Sequence, residues 1–236
     1  MAMMEKPGKD RLVVLDFDGF LINSYRLLQI TFEQFGLNVG DEERFKHRRK
    51  FLKYLGGGRE FLRNMVHYSL PKKRKVRRVL TDIYQERGYI YPEFVPLLNR
   101  MIAVPDLHTG IISRNFTHNP GLTIRTVLRN SGVDEKELDF VVPLDAGVKK
   151  HAVLEAMRSS RYRECLFGAD EIGDFHAATE TGYDAIIMAG YGFDNRKRLM
   201  EKGRVPAEII FDTPKQAAEA MTRRLRYTEN VACIIA

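Results

Sequence analysis

Two aspartates separated by one residue follow the first apolar run of the chain. The run covers residues 12–15, and Asp16-Phe17-Asp18-Gly19 comes directly after it. Polar residues also follow three later apolar runs, at Ser113-Arg114-Asn115, at Asp145 with Lys149-Lys150, and at Asp170 with Asp174. Because the carboxyl ends of parallel strands meet at one edge of a sheet, these side chains are expected to converge there.

Residues of these types together favour phosphoryl transfer. Carboxylates bind a hard cation such as Mg²⁺, which prefers one or two carboxylates plus phosphate oxygens. One aspartate can attack phosphorus and become an aspartyl-phosphate, while a second acid protonates the leaving oxygen. A lysine and a hydroxyl neutralise and orient the phosphate oxygens. The alternative is structural, since an aspartate at a strand end often caps a helix, and Asp174 fits that role as well.

The elements that must position these groups alternate along the chain. Strands are predicted at 12–15, 110–112, 140–144, 165–167, 185–188 and 208–211, and helices at 123–130, 150–158, 175–181 and 215–225. Most of the strand runs are uniformly apolar, as expected for a sheet covered on both faces. The pattern predicts an α/β, Rossmann-like parallel-sheet core with helices on both faces.

One interval breaks this alternation. No convincing strand lies between Tyr25 and about Tyr91, and apolar residues there recur at helical spacing. We therefore predict a core domain formed by residues 1–23 and 96–236, and a small all-helical cap domain formed by residues 24–95. The insert is basic: residues 41–100 carry 16 Lys and Arg against 7 Asp and Glu, a net of +9, whereas the whole chain has a net of +7.

Composition excludes several classes of protein. Hydrophobic residues make up 44% of the 236 residues, which is too many for a disordered chain, and no apolar run is long enough for a membrane span. The two cysteines, Cys165 and Cys233, cannot form a disulfide framework or a zinc site. No signal peptide is evident at residues 1–11, so we expect a cytoplasmic protein.

The four polar segments together resemble the motifs of the haloacid dehalogenase (HAD) superfamily of phosphohydrolases, in its phosphatase branch with a helical cap. The first motif stands as residues 12–24, LVVLDFDGFLINS, and the second as residues 110–113, GIIS. The third, a lysine at a helix start, matches Lys149 or Lys150. The fourth is an acidic loop at residues 168–174, GADEIGD. The resemblance covers nearly the whole chain. Within the superfamily, the chain is similar to phosphoglycolate phosphatases and β-phosphoglucomutases.

The resemblance implies a role for each matching residue. Asp16 would be the nucleophile and a Mg²⁺ ligand, and Asp18 the general acid/base with its backbone carbonyl on the metal. Asp170 and Asp174 would complete the metal site. Ser113 would hydrogen-bond a phosphate oxygen, and Lys149 or Lys150 would bridge the nucleophile and the phosphate. An aspartate at position 18 also favours phosphate chemistry over carbon–halogen cleavage.

Substrate contacts are predicted from two places. At the sheet edge, Gly19, Ser113, Arg114 and Asn115 would face the phosphate. In the insert, Gly57, Gly58 and Arg59 form a glycine-rich turn with bare amides and a guanidinium, which suits an anion. The resemblance implies that this insert closes over the site, and its alternative is a plain loop between helices.

The leading hypothesis is Mg²⁺-dependent hydrolysis of a small phosphate monoester through an aspartyl-phosphate on Asp16. A phosphomutase would use the same residues, and its product would be isomerised. A third interpretation is a binding module whose basic cap holds nucleic acid or a protein partner. Because the chain has no recognisable nucleic-acid motif, we do not expect nucleic acid to bind, and we expect no membrane partner. We expect a monomer or a homodimer. The sequence leaves the class of phosphorylated substrate open.

Overall fold

The structure, a computed structural model, describes residues 9–36, 73–145, 147–158 and 162–235. The strands are β1 (Arg11–Asp16), β2 (Leu107–Ser113), β3 (Phe140–Pro143), β4 (Glu164–Ala169), β5 (Ala185–Ala189) and β6 (Ile210–Phe211). The helices in these ranges are α1 (Ser24–Glu33), α2 (Lys73–Arg87), α3 (Phe94–Ala103), α4 (Pro120–Asn130), α5 (Lys150–Met157), α6 (Ile172–Glu180), α7 (Arg196–Gly203) and α8 (Pro214–Ile235).

The six strands form one parallel sheet in the order β3-β2-β1-β4-β5-β6. This confirms the parallel α/β core predicted from the sequence. The chain builds one half of the sheet outward from β1 to β3, then returns to the other side of β1 and builds β4 to β6. The strand order therefore reverses between β1 and β4, and a crevice forms at such a point beyond the carboxyl ends of the strands.

Helices cover both faces of the sheet because the buried strand residues alternate in direction. In β1, Val13 and Leu15 join the cluster packed by α1, α2, α3, α4 and α8. Leu12 and Val14 join the cluster packed by α5, α6 and α7. All six residues of β1 are buried, which explains why the run reads as uniformly apolar rather than alternating.

Two helices were not predicted, and each has a physical reason. In α3, Pro96 lies in the first turn, where its missing N–H breaks no intrahelical hydrogen bond. In α7, the residues RKRLMEKG bury only Leu199 and Gly203, so the helix carries no apolar stripe. The predicted strand at 208–211 is shorter, since a 3₁₀ turn over Ala207–Ile209 precedes β6.

Within the described residues, the predicted insert contains the helices α1 and α2, and α3 begins at its last residues. The chain leaves the core and returns to it along neighbouring paths: Ile22 and Ile90 form an antiparallel bridge, and the Tyr91 N–H donates to the Leu21 carbonyl at 2.9 Å. Apolar residues of α1 and α2 belong to the same cluster as Val13 of the sheet. The division into a core and a cap domain stays a prediction. Within the described ranges, no helix combines the length and apolar character needed to cross a bilayer.

Candidate active site

Three acidic side chains and one lysine meet at the crevice between β1 and β4. Asp16 is the last residue of β1, and Asp170 directly follows β4. Asp174 lies in the first turn of α6, and Lys150 is the first residue of α5. Four separate elements thus deliver one group each to the same point, as the sequence spacing predicted.

The contacts within this group are short and buried. Carboxylate oxygens of Asp16, Asp170 and Asp174 all lie within 4.8 Å of one another. The Lys150 ammonium donates to Oδ2 of Asp16 and to Oδ2 of Asp174, both at 2.7 Å. We call these four residues the charged cluster. It brings three carboxylates against one ammonium, so its formal charge is negative when all four are ionised.

Burial and mutual repulsion shift the ionisation of the cluster. The pKa of Asp16 lies well above its usual value because burial disfavours the carboxylate; Lys150 lowers this pKa in part, and Asp174 raises it. The pKa of Asp170 is likewise raised, by burial first and then by the Asp16 carboxylate. Burial alone would lower the pKa of Lys150, but Asp16 and Asp174 outweigh it and raise this pKa above its usual value, so the ammonium is charged.

Asp170 is held closely by two glycine-containing turns. Its Oδ2 accepts a hydrogen bond from the Phe193 N–H at 2.6 Å. A Cβ on Gly19 or on Gly192 would overlap with the Asp170 side chain, and Gly19 also adopts φ +83°, which disfavours other residues. Among the described atoms, Oδ1 of Asp170 is buried and accepts no hydrogen bond.

The charged cluster fits a divalent cation by its donor set. A buried carboxylate oxygen without a partner is costly, and three buried carboxylates with a single lysine repel one another. Oxygen ligands of this kind are what Mg²⁺ takes. The side chains of Asp16, Asp170 and Asp174 can therefore hold a metal ion. The metal contact expected from the Asp18 backbone carbonyl stays a prediction.

Asp18 lies two residues from Asp16 but in a different environment. Its Oδ1 accepts hydrogen bonds from the Ser24 hydroxyl at 2.6 Å and the Tyr84 hydroxyl at 2.7 Å. Its Oδ2 accepts from the Ser113 hydroxyl at 2.9 Å and from the Asn115 amide at 3.0 Å. We call Asp18 with these four donors the neutral network. A carboxylate offers about four acceptor sites, so this one is fully used.

The donors of the neutral network have fixed roles. The Asn115 carbonyl oxygen accepts from the Thr117 N–H at 3.0 Å and also from the Thr117 hydroxyl, which turns the Asn115 amide nitrogen towards Asp18. Burial, and then the Asp18 charge, raise the pKa of Tyr84 well above its usual value. The Tyr84 hydroxyl therefore keeps its proton and acts as a donor.

The other predicted site residues occupy different positions. Lys149 is exposed at the N-cap of α5, so Lys150 is the lysine that contacts the carboxylates. The Arg114 guanidinium is exposed and donates to the Val148 carbonyl at 2.8 Å, beside the start of α5. Gly57, Gly58 and Arg59 lie outside the described residues.

Two features of the site were not predicted. Tyr84 lies at helical spacing from the apolar residues of α2, so the pattern predicts a core residue there. The turn at Gly192 and Phe193 follows β5 in the segment GYGFDN, and two glycines directly after a strand are its only signal. Their roles depend on contacts with Asp18 and Asp170, which lie 66 and 23 residues earlier in the chain.

The fold matches solved structures of low sequence identity. A proposed phosphoglycolate phosphatase from Lactobacillus delbrueckii subsp. bulgaricus has 18% identity and a TM-score of 0.54, over 90% of this chain and 98% of that one. A proposed β-phosphoglucomutase from Thermotoga maritima has 16% identity and a TM-score of 0.57, over 90% and 99%. A haloacid dehalogenase-like family hydrolase from Streptococcus pneumoniae has 15% identity and a TM-score of 0.57, over 89% and 97%.

No protein-family model and no curated protein matches the sequence. The structural likeness nevertheless spans almost the full length of each neighbour. The chain therefore has the haloacid dehalogenase-like fold, as the motif resemblance predicted.

Proposed function

We propose that this protein, which has the haloacid dehalogenase-like fold, is a Mg²⁺-dependent phosphatase that hydrolyses a small phosphate monoester through an aspartyl-phosphate on Asp16. The observation that carries this proposal is the charged cluster at the reversal point of the sheet, with a second aspartate two residues beyond the first. Names given to the structural neighbours, among them a phosphatase and a mutase, agree with phosphoryl transfer.

In the first half of the reaction, an oxygen of the Asp16 carboxylate attacks phosphorus. A new Asp16–phosphorus bond forms as the bond between phosphorus and the leaving oxygen breaks. Asp18 donates a proton to that leaving oxygen, so an alcohol departs and Asp18 becomes a carboxylate. Lys150, which contacts Oδ2 of Asp16 at 2.7 Å, keeps the nucleophile oriented and offsets negative charge on the phosphate.

Asp16, Asp170 and Asp174 would hold Mg²⁺, which when bound supplies positive charge that favours the Asp16 carboxylate and stabilises charge on the phosphate. The side chains of all three aspartates are buried. The low accessibility strengthens each electrostatic contact.

In the second half, the Asp18 carboxylate takes a proton from a water molecule as its oxygen attacks phosphorus. The Asp16–phosphorus bond breaks, inorganic phosphate leaves, and both aspartates return to their starting forms. Ser113 links the general acid to the phosphate position, because its hydroxyl donates to Oδ2 of Asp18 in this structure. When it donates to a phosphate oxygen instead, Oδ2 loses one of its two donors and can contact the leaving oxygen.

The test is hydrolysis of 4-nitrophenyl phosphate by the purified protein with Mg²⁺, with EDTA, and in the Asp16→Asn variant. Turnover that needs Mg²⁺ and disappears in the variant supports the proposal and justifies a screen of phosphorylated metabolites. Full activity of Asp16→Asn would exclude an aspartyl-phosphate at this position. If neither aryl nor metabolite esters are hydrolysed by the folded protein with Mg²⁺, the phosphatase proposal fails.

A phosphomutase is the second candidate, favoured by the likeness to the proposed mutase of Thermotoga maritima. It would use the same aspartates but return the phosphoryl group to another hydroxyl of the substrate. Product analysis by phosphorus NMR separates the two, since a mutase gives an isomer and a phosphatase releases inorganic phosphate.

A further inference from the structure

Asp18 has two oxygens, and different parts of the chain hold them. Oδ1 accepts from Ser24, the first residue of α1, and from Tyr84 on α2. Oδ2 accepts from Ser113, the last residue of β2, and from Asn115 just beyond it. The shortest hydrogen bonds to Oδ1 thus come from the two helices of the predicted insert, and those to Oδ2 from the strand end that would face the phosphate. The Asn115 amide also donates to Oδ1, at the longer distance of 3.3 Å.

This division decides which oxygen can change partners. Ser113 is the residue whose hydroxyl would move to a phosphate oxygen, and that movement removes one of the two donors to Oδ2. Tyr84, unlike Ser113, is not expected to bind phosphate. Its side chain is buried with 3% exposure, and its hydroxyl donates to Oδ1 from a helix that belongs to the main apolar cluster. Oδ1 therefore keeps its hydrogen bonds from Ser24 and Tyr84 when Oδ2 loses the Ser113 hydroxyl.

We propose that Tyr84 is a positioning residue of the reaction: its hydroxyl holds Oδ1 of Asp18, so that Oδ2 is the oxygen that gives its proton to the leaving group. The inference rests on the proposed function, because it assigns Asp18 as the acid. Without the Tyr84 hydroxyl the carboxyl group is held less firmly against rotation about its Cβ–Cγ bond, and the proton is aimed less often at the leaving oxygen. The loss matters most when the leaving oxygen is basic.

The role can be distinguished from simple structural support with a series of phenyl phosphates. Phenyl, 4-chlorophenyl and 4-nitrophenyl phosphate have similar shapes but leaving oxygens of falling basicity. The quantity to compare is kcat/KM, which covers the steps up to departure of the phenol. Help from an acid is most valuable for phenyl phosphate and least for 4-nitrophenyl phosphate.

For Tyr84→Phe, we expect kcat/KM to fall roughly 10- to 100-fold with phenyl phosphate and less than about 3-fold with 4-nitrophenyl phosphate, since a positioned acid contributes roughly 10²- to 10⁴-fold. Asp18→Asn should show the same trend more steeply. Tyr191→Phe is the matched control, because it also removes a tyrosine hydroxyl beside the site, one that donates to the Phe20 carbonyl at 3.0 Å. In that control all three esters should change by one common factor.

Equal losses across the three esters in Tyr84→Phe would overturn the inference and make Tyr84 a structural residue. If that variant does not fold, Ser24→Ala removes the other hydroxyl that donates to Oδ1 and must show the same dependence on the leaving group. A uniform loss there overturns the inference too. These results differ from failure of the proposed function, in which the wild-type protein hydrolyses no ester and both ideas fall together.

Discussion

The two aspartates of the first motif lie in opposite chemical surroundings although one residue separates them. Asp16 belongs to the charged cluster, where an ammonium and two further carboxylates surround it. Asp18 belongs to the neutral network, where hydroxyl and amide groups donate all its hydrogen bonds among the described residues. The first arrangement suits a group that meets metal and phosphate charge, and the second suits a group whose direction must be controlled.

The strongest test of this comparison replaces each aspartate by asparagine. Asp16→Asn should reduce turnover by at least about 10³-fold for every ester, because the attacking oxygen is lost whatever group leaves. Asp18→Asn should reduce it by an amount that grows with the basicity of the leaving oxygen. Steady-state rates on the three phenyl phosphates measure both. If the loss of turnover in Asp16→Asn depended on the leaving group, the two aspartates would not have the distinct roles proposed here.

The next effect concerns the ammonium of the charged cluster. Lys150→Met should lower kcat roughly 10²- to 10³-fold, because an electrostatic donor to the reacting groups is lost. It should also lower the free energy of unfolding by about 3–5 kcal/mol in EDTA, since two buried carboxylates lose their cation. Kinetics and urea denaturation provide the measurements.

Lys149→Met is the matched control for this lysine. Its side chain is exposed, so the free energy of unfolding should change by less than about 0.5 kcal/mol. An equal loss of activity in the two variants would remove the distinction between the neighbouring lysines.

Asp170→Asn tests whether the charged cluster is built for a cation at the expense of stability. The neutral side chain relieves repulsion in the cluster, so the free energy of unfolding in EDTA should rise by about 1–2 kcal/mol. Stabilisation of the folded protein by Mg²⁺ should disappear. Thermal unfolding with EDTA and with a Mg²⁺ titration measures both quantities.

Asp139→Asn should give the opposite sign. Lys9 contacts both Asp139 oxygens at 2.7 Å, and the Thr109 N–H donates to one of them at 2.9 Å. Burial alone would raise the pKa of Asp139, but these partners hold it below the usual value. Removing this charge should destabilise the protein. Stabilisation by Asp139→Asn, or destabilisation by Asp170→Asn in EDTA, would contradict the account.

The last effect is a dependence on pH. The pKa of Asp170 is raised in the folded protein, so between about pH 4 and that raised pKa the folded state binds more protons than the unfolded state. Its contribution to the free energy of unfolding then falls as pH rises. The advantage of Asp170→Asn over the wild type in EDTA should therefore be smallest near pH 4 and widen by up to about 1.4 kcal/mol per pH unit. If the difference in free energy of unfolding between Asp170→Asn and the wild type became smaller as pH rises, the pKa of Asp170 would be lowered in the folded protein rather than raised.

Much of the fold was predictable because burial leaves a strong mark on sequence. The strand at Arg11–Asp16 is buried on both faces, and its uniform apolar run predicts this directly. The polar helix Arg196–Gly203 leaves no such mark, and it was missed. Site residues at strand ends were predictable as well, because an apolar run shows where each strand ends.

Side-chain direction was the part of the site that sequence could not supply. Lys149 and Lys150 are the same residue type at neighbouring positions. Their positions relative to the first turn of α5 decide which of them contacts Asp16. Tyr84 lies 66 residues from its partner Asp18, and no local pattern connects them. Such contacts depend on how helices pack rather than on the residues within one helix.

The central position of β1 also has a consequence during synthesis of the chain. This strand is made first, yet its partners begin at Leu107 and Glu164. At roughly 5–20 residues per second, ribosomes need on the order of ten seconds to reach them. For that time the apolar residues 12–15 have neither neighbouring strand, and an unpaired apolar strand favours aggregation of the nascent chain. The site at the end of β1 can assemble only when β4 has been made.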